Sequence, residues 1–153
     1  MLIDGLNHVA VLTSDTERLV AFYGEMFGAT VDGHPVDEPD FHLTVLKIGR
    51  HAELNVLEIA GNDEASRQTP SFGRGRLDHL ALQAASLPDF ETIRERLMAA
   101  GASDGFVTDF GPVLSLFFRD PDGLESEVCI PNPDGVPGTF FPPGTPARRF
   151  HPE

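Results

Sequence analysis

The chain has 153 residues, enough for one domain with a hydrophobic core. Its formal net charge of −13 leaves no basic face for nucleic acid or an anionic membrane surface. A single cysteine (Cys129) forms no internal disulfide, no apolar run approaches the ~20 residues of a membrane span, and "MLIDGLN" lacks the basic start and apolar stretch of a signal peptide. The expectation is a soluble cytoplasmic protein with no nucleic-acid or membrane partner.

The first element is the strand-like run "LNHVAV", Leu6 to Val11, with His8 inside it. Next comes "TSDTERLVAFYGEMFGA", in which Leu19, Phe22, Tyr23, Met26 and Phe27 recur at helical spacing. Ser14 or Asp15 can cap this helix and Gly28 ends it. "ATVDGHPV", "FHLTVLKIG" and "AELNVLEIA" follow as three strands, the last carrying Glu58. Residues 61–76, "GNDEASRQTPSFGRGR", are polar and Gly-rich and read as a linker.

The order then repeats. "LDHLAL", Leu77 to Leu82, restates "LNHVAV", with His79 in the place of His8. Phe90, Ile93, Leu97 and Met98 predict the matching helix face, capped by Ser86 or Asp89 and ended by Gly101. "FVTDFG", "VLSLFFRD" and "ESEVCI" supply three more strands, the last two joined by the turn "DPDG", Asp120 to Gly123. The period near 70 residues predicts two copies of one βαβββ module, 3–60 and 77–130, in a single domain spanning 1–153. Residues 131–153 hold seven of the thirteen prolines, which excludes helix and central strand. Phe140, Phe141 and Phe150 favour a tail that packs on a surface, its own or a partner subunit's, over a solvated terminus.

A polar residue inside a strand facing a core needs a reason. Each module offers a His on its first strand and a Glu on its last. The spacings are close: Glu58 follows His8 by 50 residues and Glu127 follows His79 by 48. If the modules close on each other about a pseudo-twofold axis, His8, Glu58, His79 and Glu127 converge. Two imidazoles and two carboxylates would suit a divalent transition metal, and the cation would offset the buried charge. The alternative is two hydrogen-bonded strand histidines and two solvated carboxylates. Glu53 and Glu125 could compete as ligands, although Glu53, five residues before Glu58, faces the other side of its strand. His34, His51 and His151 read as solvated, His42 as a surface strand residue, and Tyr23 and Cys129 as core. Arg74, Arg76, Arg148 and Arg149 read as surface cations able to meet an anion. No P-loop, dinucleotide-binding glycine motif or G-x-S-x-G elbow is present.

Together "LNHVAV", "FYGEMFGA", "NVLEIA", "LDHLAL", "RLMAAGA" and "DPDGLESEV" resemble the vicinal oxygen chelate superfamily, which includes glyoxalase I, bleomycin-resistance proteins and extradiol dioxygenases. The resemblance covers about residues 3–130. It implies an α+β fold of two tandem βαβββ modules forming a cupped, mostly antiparallel sheet around a central cavity, and a homodimer. Its ligand positions fall on His8, Glu58, His79 and Glu127, around one divalent ion (Ni, Zn, Mn, Co or Fe). The activity it first implies is a glyoxalase-like lyase or isomerase acting on a small-molecule substrate with vicinal oxygens, with Glu58 or Glu127 as the base. The second is an iron-dependent extradiol dioxygenase, in which two His and one Glu suffice and Glu58 is spare. The third is a metal-free ligand-binding, drug-sequestering protein.

Overall fold

The computed structural model describes Leu2 and residues 5–152. Residues 3 and 4 of the expected first module, and the last residue of the tail, lie outside the described residues. The chain has an α+β fold of two βαβββ modules, each a four-stranded mixed sheet. It divides into two compact units: residues 1–69 with 120–124, and residues 70–119 with 125–153.

In the first unit, β1 (His8–Leu12) leads into α1 (Thr16–Phe27), then β2 (Thr30–Glu38), β3 (Phe41–Ile48) and β4 (Ala52–Ile59). The sheet order is β1-β4-β3-β2, with β1 parallel to β4 and the other pairs antiparallel. Asp15 is the N-cap of α1, its carboxylate accepting from the Arg18 N–H at 2.9 Å. Gly28 takes the left-handed conformation that ends the helix (φ 70°). Leu19, Tyr23 and Met26 bury one helix face against Leu46, Leu54 and Val56 of β3 and β4.

The second unit repeats the plan with β5 (Ala81–Gln83), α2 (Leu87–Ala99), β6 (Val107–Asp109), β7 (Val113–Arg119) and β8 (Glu125–Pro131), in sheet order β5-β8-β7-β6. Ser86 caps α2, and Phe90 and Leu97 face its core. Met98, expected on that face, is exposed; its sulfur lies where a Cβ on Gly105 would clash. The linker holds one 3-10 turn, Glu64–Ser66, with Ala65 buried.

The Pro-rich tail packs on its own unit. Thr145 O accepts from Asp109 N–H (2.8 Å), the Ala147 N–H donates to Val107 O (3.0 Å), and Pro146 bridges Thr108, so the β6 edge is covered. Phe150 sits edge-on to Phe90 with Arg94 over its ring. His151, expected to be solvated, accepts from the Val107 N–H at 3.0 Å and stacks on Phe106. Phe140 and Phe141 remain exposed.

The turn "DPDG" has a second role beyond setting hairpin register. It belongs to the first unit. The Asp122 carboxylate is 4% exposed and accepts from Thr13 Oγ1 (2.6 Å), Ser14 Oγ (3.1 Å) and the Arg18 guanidinium (2.6 Å). Asp120 Oδ1 accepts from the N–H groups of Asp122 and Leu124. Burial, then the nearby Asp122 charge, pushes the Asp120 carboxyl above its ordinary range, despite the lowering effect of those N–H donors. The Tyr23 hydroxyl is buried beside Asp120 without reaching hydrogen-bond geometry; burial and then the Asp120 charge push it upward too.

Two outcomes follow. Asp122→Ala takes one acceptor from the Thr13 hydroxyl, which keeps the Asp15 carbonyl, and removes the partner of the Arg18 charge; since Arg18 is half in water, we expect a loss of about 1 kcal/mol in denaturant unfolding rather than the full cost of a broken buried pair. For Asp120, a raised folded pKa means that the native state holds its proton longer than the unfolded chain. Its contribution is therefore complete below the ordinary carboxylate pKa and lost as pH rises through the raised value. Asp120→Asn, which keeps an acceptor for both N–H groups, should gain on the parent as pH climbs through that window; a pH-independent difference would contradict the burial argument.

Candidate metal-binding site

Strand register decides which side chains can meet. Residues paired across adjacent strands share a face, and successive residues alternate. His8 pairs with Glu53 and Ala10 with Asn55, so His8, Glu53 and Asn55 share one face of the first sheet. Glu58, an odd number of residues from both, lies on the opposite face with buried Leu54 and Val56. There its carboxylate accepts from the Thr16 N–H (2.9 Å) and Thr16 Oγ1 (2.7 Å) at the start of α1, which favours negative charge. Glu58 also borders a cavity of about 520 Å³ with His42 and Thr44, where His42 Nδ1 meets Asp37 Oδ1 at 2.6 Å. His8 and Glu58 are thus not brought together.

The second unit differs. His79 lies two residues before β5, and β5 pairs with β8 so that Ala81 faces Glu127. His79 therefore shares the Glu127 face, and its Nε2 stands 3.7 Å from Glu127 Oε1. Backbone bonds fix the correspondence between modules: the Thr13 N–H donates to Leu57 O as the Ala84 N–H donates to Cys129 O. Leu57 thus corresponds to Cys129, Asn55 to Glu127, and Glu53 to Glu125. The near-equal spacing that selected Glu58 was three residues out of register. A usable signal was present: "ELNV" aligned with "ESEV" superposes Glu53 on Glu125 and Val56 on Val128.

Both imidazoles are oriented alike. His8 Nδ1 lies 2.7 Å from Asn7 Oδ1, and His79 Nδ1 lies 2.7 Å from Asp78 Oδ2. The contact with His79, ahead of any other influence, holds the Asp78 carboxyl below its usual range. With Nδ1 engaged, Nε2 is the nitrogen left to a metal in each case. The Cys129 thiol donates to Glu127 Oε2 at 3.4 Å; burial and then the Glu127 charge push it up to about 12, so at neutral pH it is a donor and not a thiolate. Glu125 is engaged elsewhere. It accepts from the Ser71 N–H (2.6 Å) and the Arg119 guanidinium, which together hold its carboxyl low. In the first unit Asn55 Oδ1 is buried without a hydrogen-bond partner.

Among the described residues, no three His, Cys, Asp or Glu side chains are already gathered as a metal-ligand group. The donor chemistry nevertheless fits a divalent ion. Each imidazole offers one nitrogen, and two ligands about 2.1 Å from one ion can stand up to about 4.2 Å apart, which the His79–Glu127 separation satisfies.

Residues 5–128 match the model of the glyoxalase/bleomycin resistance protein/dioxygenase superfamily. A virulence protein of Salmonella typhimurium is 26% identical over 133 residues, covering 84% of this chain and 85% of its own. A glyoxylase/bleomycin resistance protein/dioxygenase domain from Frankia shares the fold with a TM-score of 0.69 at 22% identity, covering 86% of this chain and 95% of that one. The fosfomycin resistance protein FosX of Listeria monocytogenes, in a structure with Mn(II) and sulfate, gives 0.60 at 18% identity, covering 87% and 97%. Among the described residues no helix is long and apolar enough to cross a membrane.

The position of Glu58 generates its own test. Glu58→Ala should cost about 1 kcal/mol of stability through the lost helix-end contacts, read by denaturant unfolding, and Glu58→Gln only part of that.

Proposed function

Because the chain belongs to the glyoxalase/bleomycin resistance protein/dioxygenase superfamily, we propose that it is a divalent-metal-dependent enzyme acting on a small substrate with vicinal oxygens, its protein ligands being His8, His79 and Glu127. Glu58, which the resemblance places in the ligand set, is left out of it. The observation that carries this choice is the face of β4: Glu58 is turned to the start of α1, while Asn55 occupies the position equivalent to Glu127. Two imidazoles and one carboxylate are the set that the resemblance links to dioxygenase-like members, and the glyoxalase-like four-ligand set loses its second carboxylate.

A bound ion with three protein ligands would polarise the substrate's oxygens and leave room for both. The chain's own residues do the rest. Asn7 and Asp78 fix the two ring orientations. Cys129 holds one oxygen of Glu127, so that the other is presented towards His79. Glu53, in register with His8, is the first-module carboxylate able to take a proton at that face, a role in which Glu58 is misplaced. The Mn(II) held by FosX supports a metal in this family without extending to its identity here.

Metal content after loading and dialysis tests the assignment. The parent chain and Glu58→Gln should both keep close to one equivalent, whereas His79→Ala and Glu127→Ala should lose most of it. Loss in Glu58→Gln, or full retention in His79→Ala, would return the ligand set to question.

A further inference from the structure

The two modules seat their histidines differently. In the first, His8 lies inside β1 and pairs with Glu53, and the carbonyl before it, Asn7 O, accepts from the Glu53 N–H at 2.9 Å. The ladder itself holds that imidazole in register. In the second, the pairing of β5 with β8 begins at Ala81 and Glu127, so His79 lies beyond its end. There the carbonyl equivalent to that of Asn7 accepts from a side chain. Arg74 Nη1 donates to Asp78 O at 2.7 Å and to Glu125 O at 2.9 Å. One guanidinium nitrogen thus bridges the two segments just past the point where their strand pairing stops.

Arg74, expected as a surface cation, has its side chain only 10% exposed. Burying a guanidinium is costly unless its N–H groups and its charge are answered. The two carbonyls answer the first, and Glu125 Oε2, 3.9 Å from Nη2, helps to answer the second. The turn that leads into Arg74 is fastened to the same pair of residues. The Ser71 N–H donates to Glu125 Oε2 at 2.6 Å and the Phe72 N–H to Asp78 Oδ1, while the Gly73 N–H closes the turn on Pro70 O at 3.1 Å. Phe72 is held at φ 67°, the left-handed region that a bulky residue avoids, and such strain persists where the surroundings impose it. The other oxygen of Asp78 meets His79 Nδ1. Residues 71–74 therefore fix both the backbone entering His79 and the carboxylate that orients its ring.

Distance makes this fastening matter. His79 Nε2 and Glu127 Oε1 stand 3.7 Å apart, against a limit of about 4.2 Å for two ligands sharing one ion. A slide of His79 along β8 by a fraction of the ~3.3 Å rise per strand residue would carry the pair past that limit.

We propose that Arg74 is a positioning residue of the candidate metal site: its guanidinium stands in for the strand pairing that β5 lacks and keeps His79 within reach of the ion that Glu127 binds. The proposal rests on the metal-site reading above and adds what holds its second imidazole in place. A merely structural arginine would lower stability throughout the unit; this one acts at one end of one strand pair.

Zn(II) alone is titrated into the full chain against a chromophoric chelator, with His79→Ala setting the background, and backbone amide exchange is followed by NMR without metal. In Arg74→Met the Kd for Zn(II) should rise at least tenfold, the scale of lost support behind a metal ligand. The Glu127 N–H, which donates to Leu80 O beside the bridge, should exchange at least tenfold faster. The Ala84 N–H, which donates to Cys129 O at the far end of the same strand pair, should exchange as in the parent. Arg74→Lys keeps the charge but stops one bond short of the carbonyls; it should fall between the two, and it carries the comparison if Arg74→Met does not fold. Arg119→Met, which removes the other cation on Glu125, should leave the Kd unchanged. Parental Zn(II) affinity or parental Glu127 exchange in Arg74→Met, equal acceleration at Glu127 and Ala84, or an equal loss of affinity in Arg119→Met would each overturn the proposal. A parent with no His79-dependent Zn(II) uptake sinks the metal reading alone if Glu127 exchange still depends on Arg74, and sinks both if it does not.

Discussion

The parallel pairing of the first and last strands of each module is the constraint on which the rest depends. A β-strand has a two-residue side-chain period, so a register chosen once assigns every side chain to a face. In the second module that register puts His79 and Glu127 on one face. In the first it puts His8 with Glu53 and Asn55, and sends Glu58 to the helix. The two modules are therefore copies in backbone and unlike in chemistry: one offers an imidazole and a carboxylate, the other an imidazole and an amide. The same parity lets Leu46, Leu54 and Val56 form a core under α1 while leaving the His8 face free of that burden.

Much of the architecture was legible in the sequence because it rests on short-range signals. Alternating and 3.6-residue periodicities, cap residues such as Asp15 and Ser86, and glycines at helix ends act within a few positions. The duplication was legible because "LNHVAV" and "LDHLAL" carry it openly. The site was legible only in part. Counting from His to Glu assumes that both modules spend the same number of residues in their turns, and β2 contains a bulge between Asp32 and Val36 that the second module need not match. The position of Phe72 was not legible. It depends on Asp78 and Glu125 accepting backbone N–H groups from a segment that composition describes only as a polar linker.

Carboxylates far outnumber bases in this chain, and their uses show how location sets the role of one chemical group. Glu58 and Asp15 serve the start of α1, Asp78 orients a ring, Glu125 fastens a loop, and Asp122 closes a turn onto the first unit. Each is matched to N–H or O–H donors, which is how so acidic a chain keeps partly buried carboxylates without excessive self-repulsion.

The turn at residues 120–124 carries a consequence for the order of assembly. The first unit recruits Asp122 from a point 104 residues beyond Arg18 in the chain. A ribosome that has released the whole of the first βαβββ module has therefore not yet supplied the group that accepts from Thr13, Ser14 and Arg18. The first module must wait, incompletely tied, until nearly all of the second has emerged. Closing so long a loop slows folding, and a fragment cut at the linker would leave the first module permanently short of one of its own parts. What duplication made as two equal halves has become a chain in which the earlier half is finished by the later one.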